Sequence, residues 1–192
     1  MFKIKHILVL VFSLCIAGSI SAQQKTVTSS WQFNSINNIG LLEGQTGSAF
    51  QLQSINGMQY KSWFAGVGLG LDFYRYRTIP LFLDIRKEFG SSMNKFFVYA
   101  DGGVDFCWLT DNEKNMYLAD DHYDVGFYTD LGMGYKIGIG RHNHLLLSIG
   151  YSKKKLKETY QAYFYSPPVD NLDKQQIDYN LNRLVIKIGW EF

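Results

Sequence analysis

The run Asp124-Val-Gly-Phe-Tyr-Thr-Asp-Leu-Gly-Met-Gly-Tyr-Lys-Ile-Gly-Ile139 decides the fold. Its odd positions are Val125, Phe127, Thr129, Leu131, Met133, Tyr135, Ile137 and Ile139, and the even positions between them are Gly126, Tyr128, Asp130, Gly132, Gly134, Lys136 and Gly138. Side chains alternate faces along a strand, so an extended chain gives this run one apolar face and one face of glycine and charge. Wound as a helix it would mix the two sets on every side. The run reads as a β-strand.

The same period recurs on both sides of it. In 64–75, Ala65, Val67, Leu69, Leu71 and Phe73 oppose Gly66, Gly68, Gly70, Asp72 and Tyr74. In 81–88, Leu81, Leu83 and Ile85 oppose Phe82, Asp84, Arg86 and Glu88. In 96–108, Phe96, Val98, Ala100, Val104, Phe106 and Trp108 oppose Phe97, Tyr99, Asp101, Gly103, Asp105 and Cys107. In 145–154, Leu145, Leu147, Ile149 and Tyr151 oppose Leu146, Ser148, Gly150, Ser152 and Lys154. The last residues set Leu184, Ile186, Ile188, Trp190 and Phe192 against Arg183, Val185, Lys187, Gly189 and Glu191. Two strands with poorer alternation, near 36–43 and 48–56, complete a set of eight. Short turns are expected at Gly57–Ser62, Gly90–Lys95 and Gly140–Asn143, with further short links at Gly44–Gly47 and Tyr76–Thr78. Long links are expected over 110–123 and 157–177. Short turns at one end and longer loops at the other are a habit of outer-membrane barrels.

The N-terminus reads as a separate device. Lys3 and Lys5 precede an apolar run from Ile7 to Ile16, and small residues from Ala17 to Ala22 follow. Too short for a membrane span of about 20 residues, this is a secretory signal peptide, with cleavage expected after Ala22. Leu14 before Cys15 does not fit a lipoprotein signal. Removing two lysines takes the formal charge from +2 to about 0, so the single domain expected over 23–192 has no basic surplus for nucleic acid. Its one cysteine, Cys107, rules out an intramolecular disulfide. No second apolar stretch is long enough for a transmembrane helix.

Eight alternating strands could also make a soluble carrier with its apolar face inward, but such a barrel needs an outer face dense in charge. Here the polar face is mostly glycine, with a sparse balanced set: Asp72, Asp84, Arg86, Glu88, Asp101, Asp105, Asp130, Lys136, Arg183, Lys187 and Glu191. That set suits a narrow lumen in which opposite charges pair. The apolar face carries Trp63, Phe73, Trp108, Tyr135, Tyr151, Trp190 and Phe192 near strand ends, as interfacial girdles require. In lipid an open sheet would strand unpaired backbone groups, so the strands must close. The expected architecture is an all-β, eight-stranded, antiparallel up-and-down transmembrane barrel.

From about residue 33 onward, the chain resembles the small outer-membrane β-barrel family of Gram-negative bacteria, similar to the OmpA transmembrane domain and OmpX. The most specific element is the ending Leu184-Val-Ile-Lys-Ile-Gly-Trp-Glu-Phe192. The resemblance implies location in the outer membrane and a final strand read by the barrel assembly machinery through Trp190 and Phe192. With Phe192 as the last residue, no cell-wall-binding domain is expected.

Barrels of this kind include lipid A-modifying enzymes, so acyl transfer or deacylation is the alternative to a non-enzymatic structural or surface-binding role. A hydrolase needs a nucleophile, a base and an orienting group. His122 lies beside Asp120, Asp121 and Asp124, but the sequence puts no serine nearby; this reads as a solvated acidic loop, and no catalytic residue is expected. His142 and His144 flank Asn143 without a visible third ligand, so they read as turn histidines, and no metal or cofactor is expected. Cys107 reads as a small filler on the inward face. Lys153, Lys154, Lys155 and Lys157 are candidates for lipopolysaccharide phosphates. In the last long loop, Tyr163, Phe164 and Tyr165 are candidates for contact with an extracellular protein or glycan.

Overall fold

In the computed structural model, residues 31–90, 93–108, 118–140, 143–162 and 175–192 are described. The signal peptide over 1–22 and the loop residues Tyr163, Phe164 and Tyr165 lie outside them.

The strands are β1 (Trp31–Gly44), β2 (Gly47–Tyr60), β3 (Trp63–Asp72), β4 (Thr78–Phe89), β5 (Lys95–Cys107), β6 (Leu118–Tyr123), β7 (Gly126–Gly138), β8 (His144–Ala162) and β9 (Gln175–Glu191). All pairings are antiparallel, and the sheet closes because β9 pairs with both β8 and β1. Eight strands make the wall. The ninth segment, β6, pairs with the upper part of β8 and continues the line of β7, with a register irregularity between Ala119 and His122. The closure runs to the last residue, where Ser35 and Phe192 exchange backbone hydrogen bonds of 2.8 and 3.0 Å.

The stagger of the wall can be read from its register. Stepping straight across from Trp31 leads through Tyr60, Trp63, Lys87, Val98, Met133, Ile149 and Ile186 to Leu41. The walk returns to β1 ten residues above its start. With strands about 4.8 Å apart and a rise of about 3.3 Å per residue, that stagger fixes a tilt of about 40° and a backbone radius of about 8 Å. On β4 the outward positions run from Phe89 to Ile79, ten steps. Tilted by that angle they span about 25 Å, the height of a membrane barrel's apolar band.

Parity holds around the wall. The outward positions Val67, Leu83, Ile85, Phe127, Leu131, Met133, Ile149, Ile186 and Ile188 are exposed, while Asp84, Asp105, Asp130 and Val185 between them are 0 % exposed. This outside is apolar and unpartnered. Phe96 and Tyr135, register partners on β5 and β7, stack near the lower end with ring centroids 4.8 Å apart, and Trp31 and Tyr60 do the same on β1 and β2.

The structure corrects several expectations. The weak first hairpin is as long as its neighbours: β1 and β2 are 14 residues each and pair without a break. The turn expected over 57–62 shrinks to Lys61–Ser62, because Gly57–Tyr60 continue the ladder and Lys61 takes the left-handed φ of 55° that the tight turn needs. The two long links shrink as well. β6 occupies 118–123, β8 runs up to Ala162 and β9 starts at Gln175, so a three-stranded sheet stands above the rest of the rim.

The interior also differs from a face of glycine and charge. Ile36, Ile55, Phe64, Phe82, Phe97, Tyr99, Tyr128 and Leu146 form a buried cluster inside the barrel. Glycine makes room for these rings: a Cβ at Gly132 would meet the Tyr99 ring at 2.6 Å, and one at Gly134 would collide with the Phe97 ring and the Leu147 carbonyl. Rings and missing side chains interlock inside the wall.

Candidate functional site

The inside of the barrel gathers nearly all the polar chemistry, in three storeys. All eleven charged residues expected there are buried. At the lower end, Lys136 on β7 bridges Glu88 on β4 (2.8 Å) and Glu191 on β9 (2.6 Å), and Lys95 on β5 adds a second contact to Glu88 at 2.8 Å. Asn34 extends the web by donating to Gln59 and Glu191, each at 2.7 Å. These links tie together walls on opposite sides of the lumen.

In the middle, β4, β5 and β7 place Asp84, Asp101 and Asp130 side by side, since the first two and the last two are register partners. Lys187 reaches across from β9 to Asp130 at 2.7 Å and Asp101 at 3.6 Å, with its ammonium 4.5 Å from the centre of the Tyr99 ring. Arg86 pairs with Asp84 at 2.8 Å and sits among the rings of Phe64, Phe97 and Tyr99. Tyr99 donates to Asp130 at 3.0 Å. Gln51 and Gln53 donate to the Tyr128 hydroxyl at 3.1 and 2.9 Å, and that hydroxyl donates to Asp130 at 3.3 Å.

The upper storey holds Arg183 on β9, which pairs with Asp72, donates to Ser152 at 2.7 Å and lies over the Tyr74 ring. Lys154 is fully buried here. Its ammonium donates to the Thr78 hydroxyl at 3.0 Å and to the carbonyls of Tyr74 and Tyr76 at 3.3 Å, and lies 3.4 Å from Asp72 and 3.8 Å from Asp105. This corrects its grouping with the lipopolysaccharide candidates. An even position on β8 faces the lumen, so only Lys153, Lys155 and Lys157 share the outward side. None of these three makes an ion pair with a described residue. They begin immediately above the apolar outward run Leu145, Leu147, Ile149 and Tyr151.

Above the lumen, Tyr179 donates to Glu158 at 2.7 Å and accepts from Tyr76 at 3.2 Å, while Arg75 lies over both tyrosine rings. Partial burial, and then the hydrogen bonds to Tyr76 and Glu158, push the Tyr179 phenol up from its ordinary value. These contacts join the β3–β4 link to β8 and β9. Trp190 and Phe192 point outward at the lower end, 44 % and 55 % exposed. Cys107 is half-buried at the top of β5 opposite Thr78, and His144 is half-buried at the foot of β8; His142 lies outside the described residues. For His122 only the backbone is described, with Thr159 as its register partner. Among the described residues no three His, Cys, Asp or Glu side chains come together as a metal site.

Sequence reasoning missed the bonding of the amides Asn34, Asn38, Gln51, Gln53 and Gln59 and of the Ser152 hydroxyl. Asn34 and Ser152 meet Glu191 and Arg183 directly, while Asn38 links to Gln53, and Gln51 and Gln53 link to Tyr128. The signal was present in the sequence, since each lies on the lumen side by the same parity that placed the charges.

These features define a closed eight-stranded antiparallel barrel, apolar outside and ion-paired within. No protein-family model matches the chain, and no curated protein matches it in sequence. Among solved structures its fold is that of small outer-membrane β-barrels. Neisserial surface protein A superposes with a TM-score of 0.56 at 11% identity, over 85% of this chain and 96% of that one. The outer membrane protein OprG from Pseudomonas aeruginosa gives 0.52 at 13% identity, over 83% and 95%. The outer membrane protein AlkL, solved in lipid bilayers, gives 0.51 at 9% identity, over 88% and 95%.

Proposed function

We propose that this chain is an integral outer-membrane barrel with a plugged lumen, acting without catalysis as a structural or surface-binding protein through its raised outer rim. One observation carries the reading: cations anchored on one wall reach carboxylates on another at every level of the lumen. Lys136 spans to Glu88 and Glu191, Lys187 to Asp101 and Asp130, and Lys154 and Arg183 to Asp72. An ion or solute crossing would have to break pairs in a low-dielectric interior, where an uncompensated charge is costly. The apolar outside supports lipid as the surroundings, because a water-facing barrel would carry its charge there.

In this reading Lys153, Lys155 and Lys157 meet lipopolysaccharide phosphates at the upper boundary of the apolar band. The raised sheet of β6, β8 and β9 carries the link containing Tyr163, Phe164 and Tyr165 toward an extracellular protein or glycan. Trp190 and Phe192 serve recognition by the barrel assembly machinery, so Phe192→Ala should lower the yield of inserted protein while leaving its unfolding temperature nearly unchanged. Planar-bilayer recording tests the plug. The expected result is no steady conductance from protein that floats with outer membranes and migrates faster unboiled than boiled on gels. Stable channels of porin size would overturn the plugged lumen, and recovery as a soluble periplasmic species would overturn the membrane assignment.

A further inference from the structure

Facing outward on the first hairpin is a group of side chains that the apolar band does not explain. Ser35 and Asn56 are register partners across β1 and β2, and so are Asn37 and Ser54, which makes a two-by-two block of amides and hydroxyls. Strand parity puts all four on the outward face, since Ile36, Asn38 and Ile55 beside them are buried in the lumen; there Asn37 and Asn56 are exposed, Ser54 is half-buried and Ser35 is covered, at 7 % exposed. No hydrogen bond to another described residue satisfies the side chain of Asn37 or Asn56. The block is not at a rim. On β1 it is bracketed by Phe33 below and Ile39 and Leu41 above, and on β2 by Met58 below and Leu52 and Phe50 above. The band continues on either flank, with Trp190 opposite Asn37 on β9 and Val67 opposite Asn56 on β3.

In hydrocarbon an amide without a partner is expensive, because no water is present to satisfy it. Polar side chains at such depth find partners on a neighbouring membrane segment. The partner must match an uncharged set that both donates and accepts, at one fixed depth. A second copy of this chain meets those conditions. Asparagine amides and serine hydroxyls are self-complementary, and a two-fold axis along the membrane normal brings each block against its twin at the same depth.

Resting on the membrane reading above, we infer that the β1–β2 face is a self-association surface, at which Asn37 and Asn56 of one copy hydrogen-bond the same block of a second. The opposite wall, β5 and β7, carries only apolar outward side chains at comparable depth, such as Val98, Leu131 and Met133, and is left to lipid.

The experiment is disulfide capture with a lipid-soluble oxidant in isolated outer membranes, using Ser54→Cys in a Cys107→Ser background. The expected product runs at twice the monomer mass. Adding Asn37→Leu and Asn56→Leu should lower its yield several-fold while flotation and heat-modifiable migration stay intact, and Met133→Cys in place of Ser54→Cys should give almost none. A conjugate of any other mass, equal capture from Met133→Cys, or undiminished capture in the double leucine variant overturns the inference. So does a floating, heat-modifiable chain that is not captured at all. A chain that no longer floats with outer membranes would instead strike the membrane reading on which the inference rests.

Discussion

The first hairpin and the strands after it fill the same lumen with different chemistry. Every strand from β3 to β5, and each of β7, β8 and β9, sends at least one buried charge inward. β1 and β2 send none: their inward side chains include Asn34, Ile36, Asn38, Leu42, Ala49, Gln51, Gln53, Ile55 and Gln59. Outward, the same hairpin mixes Ser35, Asn37, Ser54 and Asn56 with Phe33, Ile39, Leu41, Phe50 and Leu52. Both of its faces are therefore part amide and part apolar. Elsewhere the outward face is mostly apolar, and the inward face sets charges and glycines among buried rings such as Phe64, Phe82, Phe97 and Tyr128. The charged walls hold the barrel by ion pairs across the lumen; the hairpin contributes neutral acceptors and donors that tolerate small changes.

The largest expected effect tests the charged half. Lys136→Met leaves Glu88 and Glu191 buried without their shared cation, and breaking a buried pair in this way costs about 3–5 kcal/mol. Unfolding in detergent, followed by heat-modifiable migration, should show that loss. Adding Glu88→Gln and Glu191→Gln should recover most of it. A single variant as stable as the original would mean that the lower storey carries no strain-bearing pair.

That asymmetry also explains what the sequence could tell. Strand parity is legible where the two faces differ in polarity, so β7 and β9 and the eleven charged lumen residues could be placed from residues alone. In the first hairpin the contrast is missing, and alternation looked poor although the ladder is unbroken from Trp31↔Tyr60 to Gly44↔Gly47. Lys154 was misgrouped because four lysines close together in sequence look like one patch, while parity sends one of them inward. The heights of β8 and β9 above the rim were illegible for a different reason: polar, tyrosine-rich strand extensions outside the apolar band have the composition of loops.

Smaller effects sharpen the comparison. Gly134→Leu places a side chain where Phe97 and the Leu147 carbonyl already sit, and overpacking of this kind costs about 1–3 kcal/mol. Met133→Leu, one residue away and 62 % exposed on the outward face, should change the unfolding midpoint by less than about 0.5 kcal/mol. The reverse order would exchange inside and outside. Gentler still is Gln53→Leu in the neutral hairpin. Tyr128 keeps its bonds to Gln51 and Asp130, and Asn38 loses only a long 3.4 Å bond to Gln53, so the loss should be about 1–2 kcal/mol, below the Lys136→Met loss. Equal losses would erase the distinction between the two halves.

The central claim is that the apolar face meets lipid and the polar face fills the lumen, and nitroxide labels placed singly along β7 in bilayers test it most directly. Contact with membrane-dissolved oxygen should peak at positions 127, 131, 133 and 137 and fall at 128, 130 and 136, a period of two set by the strand. Peaks at 128, 130 and 136 instead, or no alternation across β7, would contradict it.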